Sequence, residues 1–230
     1  MPRRCSGAPS LILKGYNGLP RPKGARDADY SAKRSALLRK LCARLMRMDD
    51  TRPSLRQLAS AADVTVPTLR HYFGTREELV EAVLVEYRRM GDPYIKLSRE
   101  PEGALPESIR AYMRYLLTML VDFPFLGDVF AVGMVEGLFN HKLGPVCLST
   151  LVDPMVEGLE ARLIKHQERG EMIAGDVRLG ALMLISPVLL GCHHQFQLYG
   201  RKLRPLDLDE MIEGLASVFV RAYGVTQVGN

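Results

Sequence analysis

Apolar residues recur along this chain at spacings of three and four, and no stretch of useful length alternates residue by residue. That period is helical, because positions i, i+3, i+4 and i+7 share one face of an α-helix. Leu38, Leu41, Cys42 and Leu45 form such a set and predict a first helix from about Ser31 to Met48. Asp49-Asp50-Thr51-Arg52-Pro53 ends it. Ser54-x-x-Gln57 then has capping-box form: the hydroxyl accepts an orphan backbone N–H and the amide reaches back. Leu55, Leu58 and Ala59 give this second helix its buried side, and the small Ala59 and Ala62 allow a neighbour to approach closely.

Asp63 falls in the turn that follows, where a left-handed backbone is expected; glycine suits that conformation best and aspartate tolerates it. Val64 follows as a buried plug. Thr65 caps a third helix of about two turns, with Val66 and Pro67 in its first turn, where the missing proline N–H costs nothing. Leu69 and Phe73 face inward, Thr68 and His71 share another face, and Val66 and Pro67 form an exposed tip. Gly74 ends this helix. Thr75-x-x-Glu78 is a second capping box, opening a fourth helix whose face carries Leu79, Val80, Val83, Leu84 and Tyr87. Glu77 and Glu78 suit its N-terminal dipole. Gly91-Asp92-Pro93 is expected to break it after about Met90.

The remainder also reads as helix, over about 106–121, 125–143, 146–169, 177–199 and 208–223. Gly170 to Asp176 is a turn with Asp176 as a cap, Gly200 to Asp207 is a loop, and Pro187 should kink the helix that contains it. Two long apolar helices at the end of the chain exceed what one small body needs. They predict a homodimer in which the last two helices of each copy form a four-helix bundle. The expected fold class is therefore all-α, with three regions: an arm over 1–29, a helix-turn-helix head over 30–90, and a helical dimerisation body over 91–230. The arm holds Pro2, Pro9, Pro20 and Pro22 among several glycines, shows no sustained apolar period and reads as disordered.

Charge separates the regions further. Net charge is +5, but residues 1–90 carry 18 Lys and Arg against 9 Asp and Glu, while residues 91–230 carry 13 against 17. A basic first part joined to an acidic second part points to a polyanion partner for the first part alone. Apolar content of 47% and charged content of 25% are those of an ordinary globular chain.

Other classes find less support. No apolar run approaches the roughly 18–20 residues of a membrane span, the nearest being Ala181 to Cys192. Leu11-Ile12-Leu13 is too short for the core of a secretory signal, so a cytoplasmic location without membrane association is expected. Cys5, Cys42, Cys147 and Cys192 are too dispersed for a disulfide framework or a zinc site. Cys192-His193-His194 invites a nucleophile-and-base reading, but adjacent residues do not easily present both groups to one atom, and no third orienting group is evident. His193 and His194 point about 100° apart on a helix and form no chelating pair. With no glycine-rich phosphate loop and no H-E-x-x-H, neither enzyme activity nor a cofactor is expected.

Leu55 to Leu79 resembles the N-terminal helix-turn-helix of TetR-type transcriptional regulators. Leu58-Ala59, Ala62, Val64, Thr65, Thr68-Leu69, Phe73, Thr75, Arg76, Glu77 and Leu79 carry the resemblance, with Leu37-Leu38 and Leu45 matching in the first helix. The pattern covers roughly residues 34–84. This chain departs from it with Asp63 in place of glycine, Arg70 in place of an aromatic residue, and Tyr72 in place of histidine. The resemblance implies a regulator, by default a repressor, that binds a palindromic double-stranded DNA operator as a homodimer and is released by a small-molecule effector. Thr65, Val66, Pro67, Thr68 and His71 would then meet the major groove, and Ser54, Arg56, Arg70, Tyr72 and Arg76 the backbone. Candidate effector contacts in the body are Tyr112, Met113, Leu116, Met134, Glu136, Phe139, His193, His194 and Gln197. The competing possibility is a helical ligand-binding protein whose head has lost DNA binding, motivated by Asp63 and Arg70.

Overall fold

The computed structural model describes residues 23–45, 47, 52–121 and 124–225. The arm over 1–22, the break at 48–51 and Phe123 lie outside these. The helices are α1 (Lys23–Leu45), α2 (Leu55–Ala61), α3 (Val66–Phe73), α4 (Arg76–Ser98), α5 (Leu105–Val121), α6 (Pro124–Phe139), α7 (Leu143–Cys147), α8 (Asp153–Glu168), α9 (Val177–Phe196), α10 (Gly200–Leu203) and α11 (Leu208–Tyr223), with a π-helical turn over Leu148–Val152. Among the described residues there is no strand, and one isolated antiparallel bridge joins Met172 to Gly224. The fold is all-α.

The chain forms two compact units, one up to Ala36 and one from Leu37 onward. In the first, α1 begins at Lys23, inside the stretch expected to be arm. No proline follows Pro22 there, and Asp29 receives the Lys33 ammonium at 2.9 Å, an i,i+4 pair in the order that supports an exposed helix.

In the second unit, Leu38, Leu41, Cys42 and Leu45 are buried as their spacing requires. They share a core with Leu58, Ala59, Leu69 and Phe73 of α2 and α3 and with Leu79, Val80, Val83 and Leu84 of α4. Val129, Phe130, Leu143, Cys147 and Leu151 belong to the same cluster, so α4 is gripped from both sides. A second core joins Ile109, Met113 and Leu116 of α5 to Leu159, Leu163, Leu184, Ile185, Ile212 and Phe219.

Several boundaries differ from the sequence expectation, each for a local reason. The fourth helix does not break at Gly91-Asp92-Pro93 but runs on to Ser98. Its far end is held by Arg162, which donates from Nε to the Ser98 carbonyl at 2.9 Å and from Nη1 to Ser108 Oγ at 3.0 Å. A proline forfeits one helical hydrogen bond, and packing at both ends outweighs that loss. The helix expected over 146–169 is interrupted by the π turn just before Pro154, which has no N–H to give to the carbonyl four residues back. The loop after α9 contains the short α10. Ile164 of α8 is 42% exposed, beside the buried Leu163.

By length and composition α9 would satisfy the requirement for a membrane span, contrary to the shorter stretch read from sequence. Its inner face, with Ala181, Leu184, Ile185 and Val188, is built into the second core.

Candidate functional site

The capping boxes form as their residues dictate. Ser54 Oγ accepts from Gln57 N at 3.3 Å, and Gln57 Oε1 accepts from Ser54 N at 2.8 Å. Asp63 adopts φ 59°, the left-handed conformation the turn demands. Thr65 Oγ1 caps α3 by accepting from Thr68 N at 3.2 Å and lies 2.9 Å from Thr68 Oγ1. Gly74, at φ 73°, ends α3 where an added Cβ would lie 2.1 Å from Glu78 Oε2. Thr75 N donates to that same Oε2 at 2.7 Å, closing the second box.

These constraints decide which side of α3 meets solvent. Leu69 and Phe73 are buried, whereas Thr65, Pro67, Arg70 and His71 are exposed and Thr68 is half-buried. Val66 is not at an exposed tip: it is half-buried and packs on the head core, because α3 is short and its first turn lies over α2. Tyr72 also packs partly against that core, with its ring edge toward His71 at 5.2 Å between centroids. Ser54 and Arg56 are exposed at the start of α2.

Arg76 is placed otherwise than expected. Its side chain is only 16% exposed, and its guanidinium forms a paired contact with Glu136 of α6, Nη1 to Oε2 at 2.9 Å and Nη2 to Oε1 at 2.5 Å. Nε donates to the Pro53 carbonyl at 2.7 Å. Arg52 completes the cluster, with Nη2 2.6 Å and Nε 3.0 Å from Glu136 Oε2. Burial by itself would push the Glu136 carboxyl up, but the hydrogen bonds and charges of Arg76 and Arg52 outweigh it and hold the carboxyl below its ordinary value. Glu136, expected among the effector contacts, is therefore a buried ion-pair centre and does not line the cavity described next.

A partly open cavity of about 80 Å³ lies between α4, α5, α6 and α8. Tyr87, Arg88 and Ile95 of α4 line it, with Tyr112, Tyr115 and Leu116 of α5, Phe130 of α6, and Leu151 and Met155 across the π turn and α8. Tyr112 donates its hydroxyl to the Met155 carbonyl at 2.7 Å. Burial raises the Tyr87 and Tyr112 phenols well above their ordinary values, so both stay protonated at neutral pH.

Of the candidate effector contacts, Tyr112 and Leu116 reach this cavity. His193 and Gln197 line a smaller recess of about 10 Å³, where His193 Nδ1 and Gln197 Oε1 are 3.0 Å apart. The others lie elsewhere. Met113 is in the second core, Met134 packs near Cys147, His194 Nδ1 meets Gln195 Nε2 at 2.8 Å, and Phe139 is 76% exposed. Helical periodicity identified apolar faces, but a wall and a core face carry the same signal. Tyr87 was missed for that reason, whereas Arg88 and Tyr115 lie off the apolar stripes and carry no local signal of a wall. Cys192 is buried and its thiol is pushed up to about 11, which keeps it protonated rather than nucleophilic.

A family model for bacterial regulatory proteins of the tetR family matches residues 52–83, from Arg52 through α2 and α3 into α4. Over 204 residues the chain is 26% identical to the HTH-type transcriptional regulator RutR of Escherichia coli K12, covering 89% of this chain and 88% of that protein. A TetR-family transcriptional regulator from Rhodococcus sp. superposes with a TM-score of 0.66 at 15% identity, covering 82% of this chain and 98% of that one. FadR from Bacillus subtilis, solved in complex with stearoyl-CoA, superposes with a TM-score of 0.59 at 16% identity, covering 83% and 97%. At these identities the structural likeness concerns the fold. The helix-turn-helix match over residues 52–83, the relative aligned over most of both chains and the shared all-helical fold together make this chain similar to the TetR-family DNA-binding transcriptional regulators.

Proposed function

We propose that this chain is a repressor that binds a palindromic operator as a homodimer and releases it when a small molecule enters the body. The observation that carries this is the double use of α4. Leu79, Val80, Val83 and Leu84 anchor the helix-turn-helix, while Tyr87, Arg88 and Ile95 of the same helix line the cavity. A ligand that favours one position of α4 therefore biases the position of α3, provided it binds the two arrangements with different affinity.

In this reading, residues 30–90 act as the DNA-binding head and 91–230 as the effector and dimerisation body, with α4 continuous across the division. Pro67, Thr68 and His71, with Thr65 and Val66 at the first turn, face the major groove. Ser54, Arg56 and Arg70 contact backbone, and Tyr72 does so with the edge it leaves exposed. The effector is a largely apolar small molecule, since the cavity wall is aromatic and aliphatic with a few phenol and hydroxyl groups and one cationic side chain, Arg88. The complex of FadR with stearoyl-CoA supports a small-molecule ligand for a body of this fold.

Dimerisation through α9 and α11 is supported by their outer faces. Leu179, Met183 and Leu190 of α9 and Val218 of α11 are all about half exposed or more. Leu179, Met183, Ser186 and Leu190 follow the i, i+4, i+7, i+11 spacing of one stripe. A dimer places two copies of α3 about one DNA turn apart. We assign the protein to the cytoplasm and give it no catalytic role.

The test is binding of purified protein to labelled duplex from upstream of its own gene, across a salt series. Arg70→Ala should weaken binding to all duplexes and lower the salt slope by about one unit. Thr68→Ala should instead change preference among operators. Absence of binding to any duplex at low salt would favour a ligand-binding protein whose head no longer engages DNA.

A further inference from the structure

The geometry points to a two-arginine phosphodiester site, formed by Arg52 and Arg76 and occupied in this structure by the carboxylate of Glu136. Operator DNA and Glu136 then compete for the same pair of guanidinium groups. The inference rests on the DNA-binding reading above and adds to it these two arginines and an internal competitor.

Three observations carry it. First, a carboxylate and a phosphodiester each present two oxygens to a planar guanidinium, so a group that satisfies one satisfies the other. Arg76 meets Glu136 in that bidentate manner, and Arg52 adds two donors to Oε2. Second, two guanidinium groups share the one carboxylate of Glu136, while Glu77 acts on Arg52 through its charge alone, and the Arg52 side chain remains 36% exposed, open to a second anion. Third, both arginines stand at the reading element. Arg76 follows directly on the Gly74-Thr75 turn that closes α3, and its Nε is fixed to the carbonyl of Pro53, which lies between Arg52 and the Ser54 cap of α2. Glu136, by contrast, comes from α6, the helix whose Phe130 lines the cavity. The competitor is thus carried by the body, and a shift of α6 would withdraw it from the head or press it home.

The experiment is fluorescence anisotropy of a labelled duplex over a potassium chloride series, with wild type, Glu136→Gln, Arg52→Gln and Arg76→Gln in the full chain. Glu136→Gln removes the competing charge while keeping shape, and should tighten binding to specific and nonspecific duplexes by about tenfold or more. Arg52→Gln and Arg76→Gln should each reduce the salt slope by about one unit, in either background. Glu213→Gln, which removes a carboxylate paired with Arg110 and Arg114 in the body, controls for net charge and should leave affinity within about twofold. A folded Glu136→Gln protein that binds no tighter than wild type, or no tighter than Glu213→Gln, would overturn the inference. So would unchanged slopes in both arginine variants, a result that stands even if Glu136→Gln does not fold. Failure of wild type itself to bind any duplex would instead sink the DNA-binding reading.

Discussion

Phe130 of α6 stacks on the His193 imidazole of α9, with ring centroids 5.6 Å apart and planes 27° from parallel. One ring thus forms a wall of the cavity and packs on a helix that also carries the outer apolar stripe. Replacing Phe130 with Ala should lower unfolding free energy by about 3–5 kcal/mol, the usual cost of emptying an aromatic site. It should also join the cavity to the recess beside His193, so that a bulkier apolar dye binds. Chemical denaturation and dye titration measure the two effects. A loss below about 1 kcal/mol would mean that the stack is not a packed contact.

The turn between α2 and α3 gives a cleaner stability test. Asp63 sits at φ 59°. Asp63→Gly removes the steric penalty of a left-handed backbone and should stabilise the protein by up to roughly 1 kcal/mol. Asp63→Val should destabilise it by at least about 1 kcal/mol, since a β-branched residue fits that conformation poorly. Thermal melts of the two variants should move in opposite directions. Parallel shifts would contradict the backbone explanation.

Stability should also respond to pH through His166. The side chain is buried, Nδ1 lies 2.7 Å from Glu171 Oε2, and Nε2 has no hydrogen-bond partner among the described residues. Burial pulls its pKa below the ordinary value, against the raising effect of the Glu171 hydrogen bond and charge. The unfolded chain therefore takes up a proton near the ordinary value of 6.5 that the folded chain does not. The contribution is fully present above that value and is lost as pH falls from there toward the lower folded pKa. Urea midpoints should drop between about pH 7 and 5.5, and His166→Gln should flatten that segment. A wild-type midpoint that rises on acidification would contradict the assignment.

Much of the head was legible in the sequence because its signals are local. Capping boxes at Ser54 and Thr75, the left-handed Asp63 and the i, i+4 pair Leu69 and Phe73 depend on neighbours within a few residues. The cavity was less legible. Tyr112 stood among the candidate effector contacts, but Tyr87 reads as a core position, and only tertiary contact makes one side of it a wall. Glu136 was the hardest: an acidic residue in an apolar helix suggests a ligand, and nothing local reveals partners in Arg52 and Arg76. Helix ends failed where long-range packing overruled a local breaker, as at Pro93.

The most direct measurement is selection of bound duplexes from a random pool by the purified full-length protein, with sequencing of what is retained. The predicted result is enrichment of a two-fold symmetric motif with half-sites about one helical turn apart, lost or altered in preference by Thr68→Ala and His71→Ala. Recovery of an unenriched pool at low salt would contradict the central claim that this head reads DNA.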